Sequence, residues 1–253
     1  MVRTARLFVA ALLAALTSAS AASAATCPDE PAPALVQSQS FYSDAKGSVV
    51  DAEKLRQNLA LIAPIRRFVT EASQRADSAD RSEQDCALNM MLAWARGHAL
   101  LDQPRDFAAM RERERWAIAL DIIALKLRAD GKDITPLVDW LAEMDHGVLH
   151  DFGRRSRSDN LNAWSGVAAA SLAVLKEDRE AKAYADAVWR QSIAAIRPDG
   201  YVDTELARGP RALLYHAYYL SALMTLKAFR HAAGVQTSAG DHAAIDWRQT
   251  ASA

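Results

Sequence analysis

Strand-like alternation is almost absent from this chain. Between Val50 and Phe229 apolar residues recur at intervals of three and four instead, which excludes a sheet-based fold and points to an all-α domain. Cysteine is equally scarce: only Cys27 and Cys86 occur, with no Cys-x-x-Cys pair. No Gly-rich phosphate loop and no nucleophile elbow is present, so the commonest signatures of phosphate binding and serine hydrolysis are missing. Charge of one sign is lacking too, with 30 Lys and Arg against 31 Asp and Glu and a net charge of −1. Such a chain exerts no global pull on polyanions, so an anionic ligand must be held by a local basic site. The one basic run, Arg154-Arg155-Ser156-Arg157, has no interleaved aromatics and is a poor nucleic-acid signal. It reads as a solvated loop, or else as the basic lip of a polyanion groove.

Long hydrophobic runs are confined to the N-terminus. Arg3 and Arg6 form a basic segment, Leu7 to Leu16 an apolar one, and Ala22-Ser23-Ala24 a small-residue cleavage site. The apolar run is too short to span a bilayer, so residues 1–25 read as a cleaved export signal and the mature chain as periplasmic. Cys27 lies close to the cut, but Ala24-Ala25-Thr26 lacks the aliphatic-small-small pattern of a lipoprotein. The remaining residues suffice for one domain with a sizeable core. In an oxidising compartment the expected state of Cys27 and Cys86 is one disulfide tying the N-terminal arm to a helix.

The periodicity predicts helices near 51–75, 83–101, 112–129, 134–149, 160–176, 179–196 and 210–232. Between them stand turn residues such as Asp130-Gly131 and Arg197-Pro-Asp-Gly200. Ser158 or Asp159 suits an N-cap, and Pro210 a first helical position. Short connectors imply antiparallel neighbours. A bundle, a solenoid and an α/α toroid all fit that pattern. Residues 26–234 are taken as the domain, and 235–253 as an irregular C-terminal tail.

Two segments carry candidate chemistry. Arg211, Tyr215 and Tyr218 are spaced i, i+4 and i+7 and so share one helix face, while Leu213, Ala217, Leu220 and Met224 form an apolar stripe on roughly the opposite side. That stripe is expected to face the core. A surface helix with partly packed tyrosines would give the same pattern. Arg211 in a first turn adds a guanidinium to a helix end that already favours anions. Asn160 holds the equivalent place in its own helix, one turn before Trp164; it acts there as an anion donor or as a simple cap. Arginine, amide, phenol and indole together suit an anionic sugar. His216 lies off the Arg/Tyr face, either orienting a tyrosine or satisfied in the core. His146 and His150 have the spacing of metal ligands, but no Glu follows His146, so no metal or other cofactor is called for.

Three segments resemble the alginate lyase family, the polymannuronate-cleaving polysaccharide lyases. Asp85-Cys-Ala-Leu-Asn89 is similar to that family's D-C-A-L-N helix. Asp159-Asn-Leu-Asn-Ala-Trp164 is similar to its N-N-H-x-x-W motif. Asp199-Gly-Tyr-Val-Asp-Thr-Glu205 followed by Arg211-Ala-Leu-Leu-Tyr-His-Ala-Tyr218 is similar to G-x-x-x-x-E and R-A-L-x-Y-H-x-Y. The resemblance implies an α/α toroid, pairing of Cys86 with Cys27, and β-elimination on a uronic acid polymer. It further implies that Arg211 and Asn160 neutralise the substrate carboxylate and that Tyr218 protonates the leaving oxygen and also serves as base. Trp164, Tyr215 and His216 fall in the substrate-binding set. Where the family has His, this chain has Leu161, which can neither neutralise a carboxylate nor move a proton. The reading taken forward is a monomeric periplasmic polyuronate lyase without cofactor or nucleic-acid partner. Its alternative is a catalytically impaired relative that binds anionic exopolysaccharide, and a helical scaffold with no carbohydrate role stands third.

Overall fold

A computed structural model describes residues 27–44, 47, 49–153 and 158–235. Residues 1–26, which include the expected export signal, the arginine run at 154–157 and the residues from 236 lie outside the described residues. Among those described, regular structure is helical, apart from two isolated bridges, Tyr42 with Val50 and Ile196 with Val202. The principal helices are α1 (Ala52–Ala76), α2 (Arg81–Arg96), α3 (Phe107–Ala129), α4 (Val138–Phe152), α5 (Asn160–Leu175), α6 (Arg179–Ala194), the single turn α7 (Asp203–Leu206) and α8 (Ala212–Ala232). Consecutive helices pack as antiparallel neighbours, α1 on α2, α3 on α4, α4 on α5 and α5 on α6, and α8 closes onto α5. The result is an incomplete α/α toroid.

Aspartate caps explain most of the helix starts. Asp51, Asp80, Asp106, Asp159 and Asp178 each accept hydrogen bonds from backbone N–H groups of the turn that follows, satisfying donors that the helix itself leaves orphaned. Asp159 rather than Ser158 is the cap of α5. Two boundaries depart from expectation by five residues. The helix expected over 112–129 begins at Phe107, because Arg111-Glu-Arg-Glu-Arg115, which looks like a solvated stretch, has Glu112, Arg113 and Glu114 buried. Arg113 is held there by Asp151 at 2.5 Å. The helix expected to run to Leu101 ends at Arg96, because His98 and Leu100 adopt positive φ and the Leu100 N–H bonds Pro33 of the N-terminal arm. That arm is further fixed by the Trp94 indole N–H on the Glu30 carbonyl and by the Cys27–Cys86 disulfide, whose Cα atoms lie 5.5 Å apart.

α5 is buried nearly all round, as expected of a helix with no polar face. Ala163, Ser165, Gly166, Ala168, Ala169 and Ala170 let α4, α6 and α8 approach it closely. A Cβ at Gly166 would lie 2.6 Å from Val188 Cγ1 and 3.2 Å from Leu226 Cδ2, so only glycine fits that crossing. Beside this helix, Asp121 of α3 and Asp145 of α4 face each other and Ser171, all fully buried. Burial raises both carboxyls, Asp121 to about 7, and the charge of Asp121 pushes Asp145 higher still. The pair therefore holds a proton at neutral pH.

The apolar stripe of α8 corrects the sequence reading. Leu213, Leu220 and Met224 are 84%, 44% and 54% exposed, and Ala217 is exposed with them. The core face is Tyr215, Tyr219, Ala222, Leu223 and Leu226 instead. Tyr219 can be buried because its hydroxyl donates to the Ser192 carbonyl at 2.9 Å and meets Ser158 Oγ at 3.0 Å. Hydrophobicity ranks leucine above tyrosine, yet a phenol whose hydroxyl is satisfied buries a large ring at little polar cost.

Candidate active site

The N-terminal halves of α5 and α8 meet α3 around one cavity of about 680 Å³. From α5 come Asn160, Leu161 and Trp164; from α8 come Tyr215, Tyr218 and Ser221; from α3 come Phe107, Arg111, Glu114 and Arg115. Arg208, in the turn before α8, adds a third guanidinium to the lining. Two motifs about fifty residues apart in sequence thus share one concave surface with a basic rim.

Asn160 is the first residue of α5, and its partner is Glu205 of α7. One carboxylate oxygen accepts the backbone N–H at 2.8 Å and the side-chain Nδ2 at 3.2 Å. Glu205 is fully buried, and its charge sits at a helix N-terminus, where the dipole favours an anion. The contact fixes which end of the amide faces Glu205 and commits one of the two Nδ2 hydrogens, leaving the second as the side chain's remaining donor. Capping is Asp159's role, so Asn160 is not a cap. The α7 turn is itself anchored by Thr204 Oγ1 donating to the Ser158 carbonyl at 2.7 Å.

Arg211 stands at the end of a short 3-10 turn, Gly209–Arg211, as the N-cap of α8. It does not line the cavity directly. Its guanidinium carbon is 4.8 Å from the ring centre of Tyr42 and 5.5 Å from that of Tyr215, and Nη1 donates to the Gly47 carbonyl at 3.2 Å. Arg208 lies 4.6 Å from the centre of the same Tyr215 ring. Tyr215 therefore stands against two guanidinium groups, an arrangement favoured by the ring's negative π-face. Its phenol is nonetheless raised above the ordinary tyrosine value, first by burial and then by its hydrogen bond with Tyr42, with the two arginines opposing. Tyr215 is thus a protonated donor at neutral pH. Tyr218 is the more open of the two, 39% exposed against 8%, and its ring meets Tyr215 edge-on at 5.9 Å.

His216 is outside this cavity. Nε2 accepts the Val202 N–H at 3.0 Å and Nδ1 donates to the Ala212 carbonyl at 2.8 Å. Both ring nitrogens are spent on backbone, so the histidine joins the α7 segment to α8 and has no nitrogen left for a ligand. Of its two sequence readings, the satisfied buried histidine fits. His150 lies beside Asp151 at 3.3 Å, and Asp151 is already paired with Arg113. Among the described residues no three His, Cys, Asp or Glu side chains gather as metal ligands would.

Sequence reasoning placed Glu205 in the third motif without giving it a role, and passed over Tyr42, Arg208 and the α3 side chains. Glu205 and Arg208 sit in the very segment that carries the third motif, and three-residue spacing from Arg208 to Arg211 would have marked Arg208 as a neighbour on the same turn. Nothing in the sequence marks Tyr42 or Arg111, because long-range packing alone brings them in.

Comparison with known proteins bears on the family and the fold. The family model described as alginate lyase matches residues 35–247. A polysaccharide lyase of Stenotrophomonas maltophilia (strain K279a) is 27% identical over 240 residues, covering 90% of this chain and 72% of that protein. An alginate lyase of Pseudomonas aeruginosa is 29% identical over 244 residues, covering 88% of this chain and 66% of that protein. Among solved structures, a substituted form of alginate lyase A1-III complexed with tetrasaccharide superposes with a TM-score of 0.68 at 18% identity, over 90% of this chain and 68% of that one. A second substituted form, also complexed with tetrasaccharide, gives 0.66. The chain thus spans roughly two thirds of the length of these relatives.

Proposed function

The chain belongs to the alginate lyase family, and from that footing we propose that it cleaves a uronic acid polymer, alginate or polymannuronate-like, by β-elimination. The observation that carries the reading is the convergence of Asn160, Trp164, Tyr215 and Tyr218 on one cavity with arginines at its rim. β-Elimination needs the uronate carboxylate neutralised, so that charge developing as the C5 proton leaves can be held, and needs a proton for the departing glycosidic oxygen. Asn160, with one amide donor committed to Glu205 and one remaining, contacts the carboxylate. Arg211 supplies positive charge, reaching the sugar when its contacts with Tyr42 and Gly47 give way to it, and Arg208 stands ready at the lining. Tyr218, the open tyrosine, enters the reaction as the phenolate: it takes the C5 proton in the first step and gives a proton to the glycosidic oxygen in the second, as the C4–O bond breaks, the C4=C5 double bond forms and the phenolate is restored. Tyr215 stays protonated and donates. Trp164 offers a flat face to a sugar ring.

A second reading is a catalytically impaired relative that binds anionic exopolysaccharide. Leu161 favours it: the side chain in the cavity wall where the family motif has histidine is apolar and 7% exposed. Loss of one polar catalytic contact costs on the order of 10² to 10⁴ in rate at such sites. The two readings separate in one experiment. The protein is incubated with polymannuronate, polyguluronate and polyglucuronate, and the ultraviolet absorbance of unsaturated uronate ends is followed alongside binding. Absorbance growth supports elimination; binding without it supports the impaired relative. We further propose a periplasmic monomer released from the signal at 1–25, checked by N-terminal sequencing and sedimentation of the exported protein.

A further inference from the structure

His216 bonds two elements at once. Nδ1 meets the carbonyl of Ala212, one turn back in its own helix, at 2.8 Å, and Nε2 takes the N–H of Val202, the N-cap of α7, at 3.0 Å. A backbone N–H can only donate, so Nε2 is the bare nitrogen and the ring a neutral imidazole with its hydrogen on Nδ1. The ring is 9% exposed, which leaves water little room to replace either partner. The α7 turn needs this anchor, being one turn long with no side-chain cap at Val202. On the α5 side it is held by Thr204 on the Ser158 carbonyl and by Glu205 on Asn160. On the α8 side, among the described residues, the hydrogen bond that holds it is the one to His216. The Glu205 N–H bonds the Val202 carbonyl at 3.0 Å. A line of hydrogen bonds therefore runs from α8, the helix of Tyr218, through His216, Val202 and Glu205 to the amide of Asn160.

We propose that His216 is a positioning residue for the reaction. As a neutral imidazole it holds α7 and Glu205 in place, and so aims the free Nδ2 hydrogen of Asn160; its protonation ends activity on the acid side. A proton on Nε2 sets one N–H against another, and the bond to Val202 is lost. Glu205 then loses its reference to α8, and the Asn160 donor is no longer fixed relative to Tyr218.

The groups around the ring do not offset that loss. Tyr201, in the turn before α7, meets it edge-on at 5.5 Å. Arg197 of the same turn pairs with Asp199 and Asp203. Glu205 of α7 holds Asn160 and lies 4.0 Å from Arg208, while Asp159 caps α5. On α8 itself, Arg211 is engaged with Tyr42 and the Gly47 carbonyl. Among the described residues no carboxylate bonds either ring nitrogen, since both are on backbone. The buried Asp121–Asp145 pair, whose carboxyls are raised by burial, loses stability as the pH rises, so it cannot account for an acid loss.

The effect on turnover rests on the lyase reading; the latch itself does not, and the full-length protein tests the two separately. Nitrogen NMR reads the latch without polymer. His216 should show the Nδ1–H tautomer. As the pH falls from about 8 to 5, the span in which imidazoles gain a proton, the Val202 amide and the Asn160 side-chain amide should shift with the same midpoint as its ring. His216→Gln offers an amide oxygen to the Val202 N–H but does not titrate, so both shifts should vanish. Elimination of polymannuronate reads the consequence. His216→Ala should lower kcat about tenfold at about pH 8 with KM changed less than about twofold, because a misaimed donor is felt mostly in the transition state. His216→Gln should recover most of that loss and hold its rate at about pH 5.5, where the wild type should have fallen to about a tenth. A Gln variant whose pH profile superposes on that of the wild type overturns the proposal, as does an Asn160 amide that ignores the His216 titration. If the wild type makes no product at any pH, the lyase reading falls, and the latch still stands or falls on the NMR coupling.

Discussion

Glu205 accepts both the backbone and the side-chain N–H of Asn160 through one carboxylate oxygen, across 45 residues of sequence. This couples α7, which precedes the Arg211 helix, to the first residue of α5, so the two motifs are held in register by one buried anion. Glu205→Ala should lower stability by about 3 kcal/mol, since hydrogen bonds to a buried charge are the costly ones to lose. Glu205→Gln keeps shape and one acceptor, and should retain more of both stability and activity. Urea unfolding of the two variants beside polyuronate cleavage or binding checks this; equal behaviour of Ala and Gln would show that the contact is idle.

Tyr218→Phe removes the open phenol while preserving its packing. If the protein is a lyase, the variant should lose elimination by at least about 10²-fold with polymer binding little changed, because the missing proton is needed only in the transition state. The rate of unsaturated-product formation at saturating polymer is the measurement.

Leu161→His tests the residue that departs from the family motif. A polar group would again face the carboxylate, and the elimination rate should rise by about tenfold or more. Unchanged absence of product in both proteins, with binding intact, would favour the exopolysaccharide-binding reading.

The buried carboxyls Asp121 and Asp145 predict a pH dependence. Both have folded-state values raised by burial, Asp121 to about 7, above the unfolded value near 3.9. The folded state therefore binds more protons than the unfolded one, and the stabilising contribution is fully present below about pH 4 and is lost as pH rises through about 7. Set against the wild type, Asp145→Asn, which cannot ionise, should be more stable at about pH 8 and show a weaker fall in urea midpoint between about pH 5 and 8. Parallel curves for the two proteins would contradict the shared-proton account.

Gly166→Ala places a methyl 2.6 Å from Val188 Cγ1 at the crossing of α5 with α6 and α8. Overpacking at such a contact should cost about 1–3 kcal/mol despite the better helix propensity of alanine. A lowered thermal midpoint is expected; a raised one would mean that the crossing is looser than it looks.

Much of this molecule was decided by its sequence alone. Apolar recurrence at three and four fixed the helical class, and aspartates ahead of those runs fixed most helix starts, because both are local effects of spacing and capping. The i, i+4, i+7 spacing of Arg211, Tyr215 and Tyr218 put them on one face before any packing was known. Tertiary structure decided the rest. It determined that α8 buries Tyr215 and Tyr219 rather than Leu213 and Leu220, because Ser158 and Ser192 happen to satisfy the Tyr219 hydroxyl. It buried Glu112, Arg113 and Glu114, where Asp151, nearly forty residues on, pairs with Arg113. It also turned Arg211 toward Tyr42 and the Gly47 carbonyl and gave Asn160 its partner in Glu205. Each of these depends on a group distant in the chain, and a helical period records only which face a residue occupies, not what that face will meet.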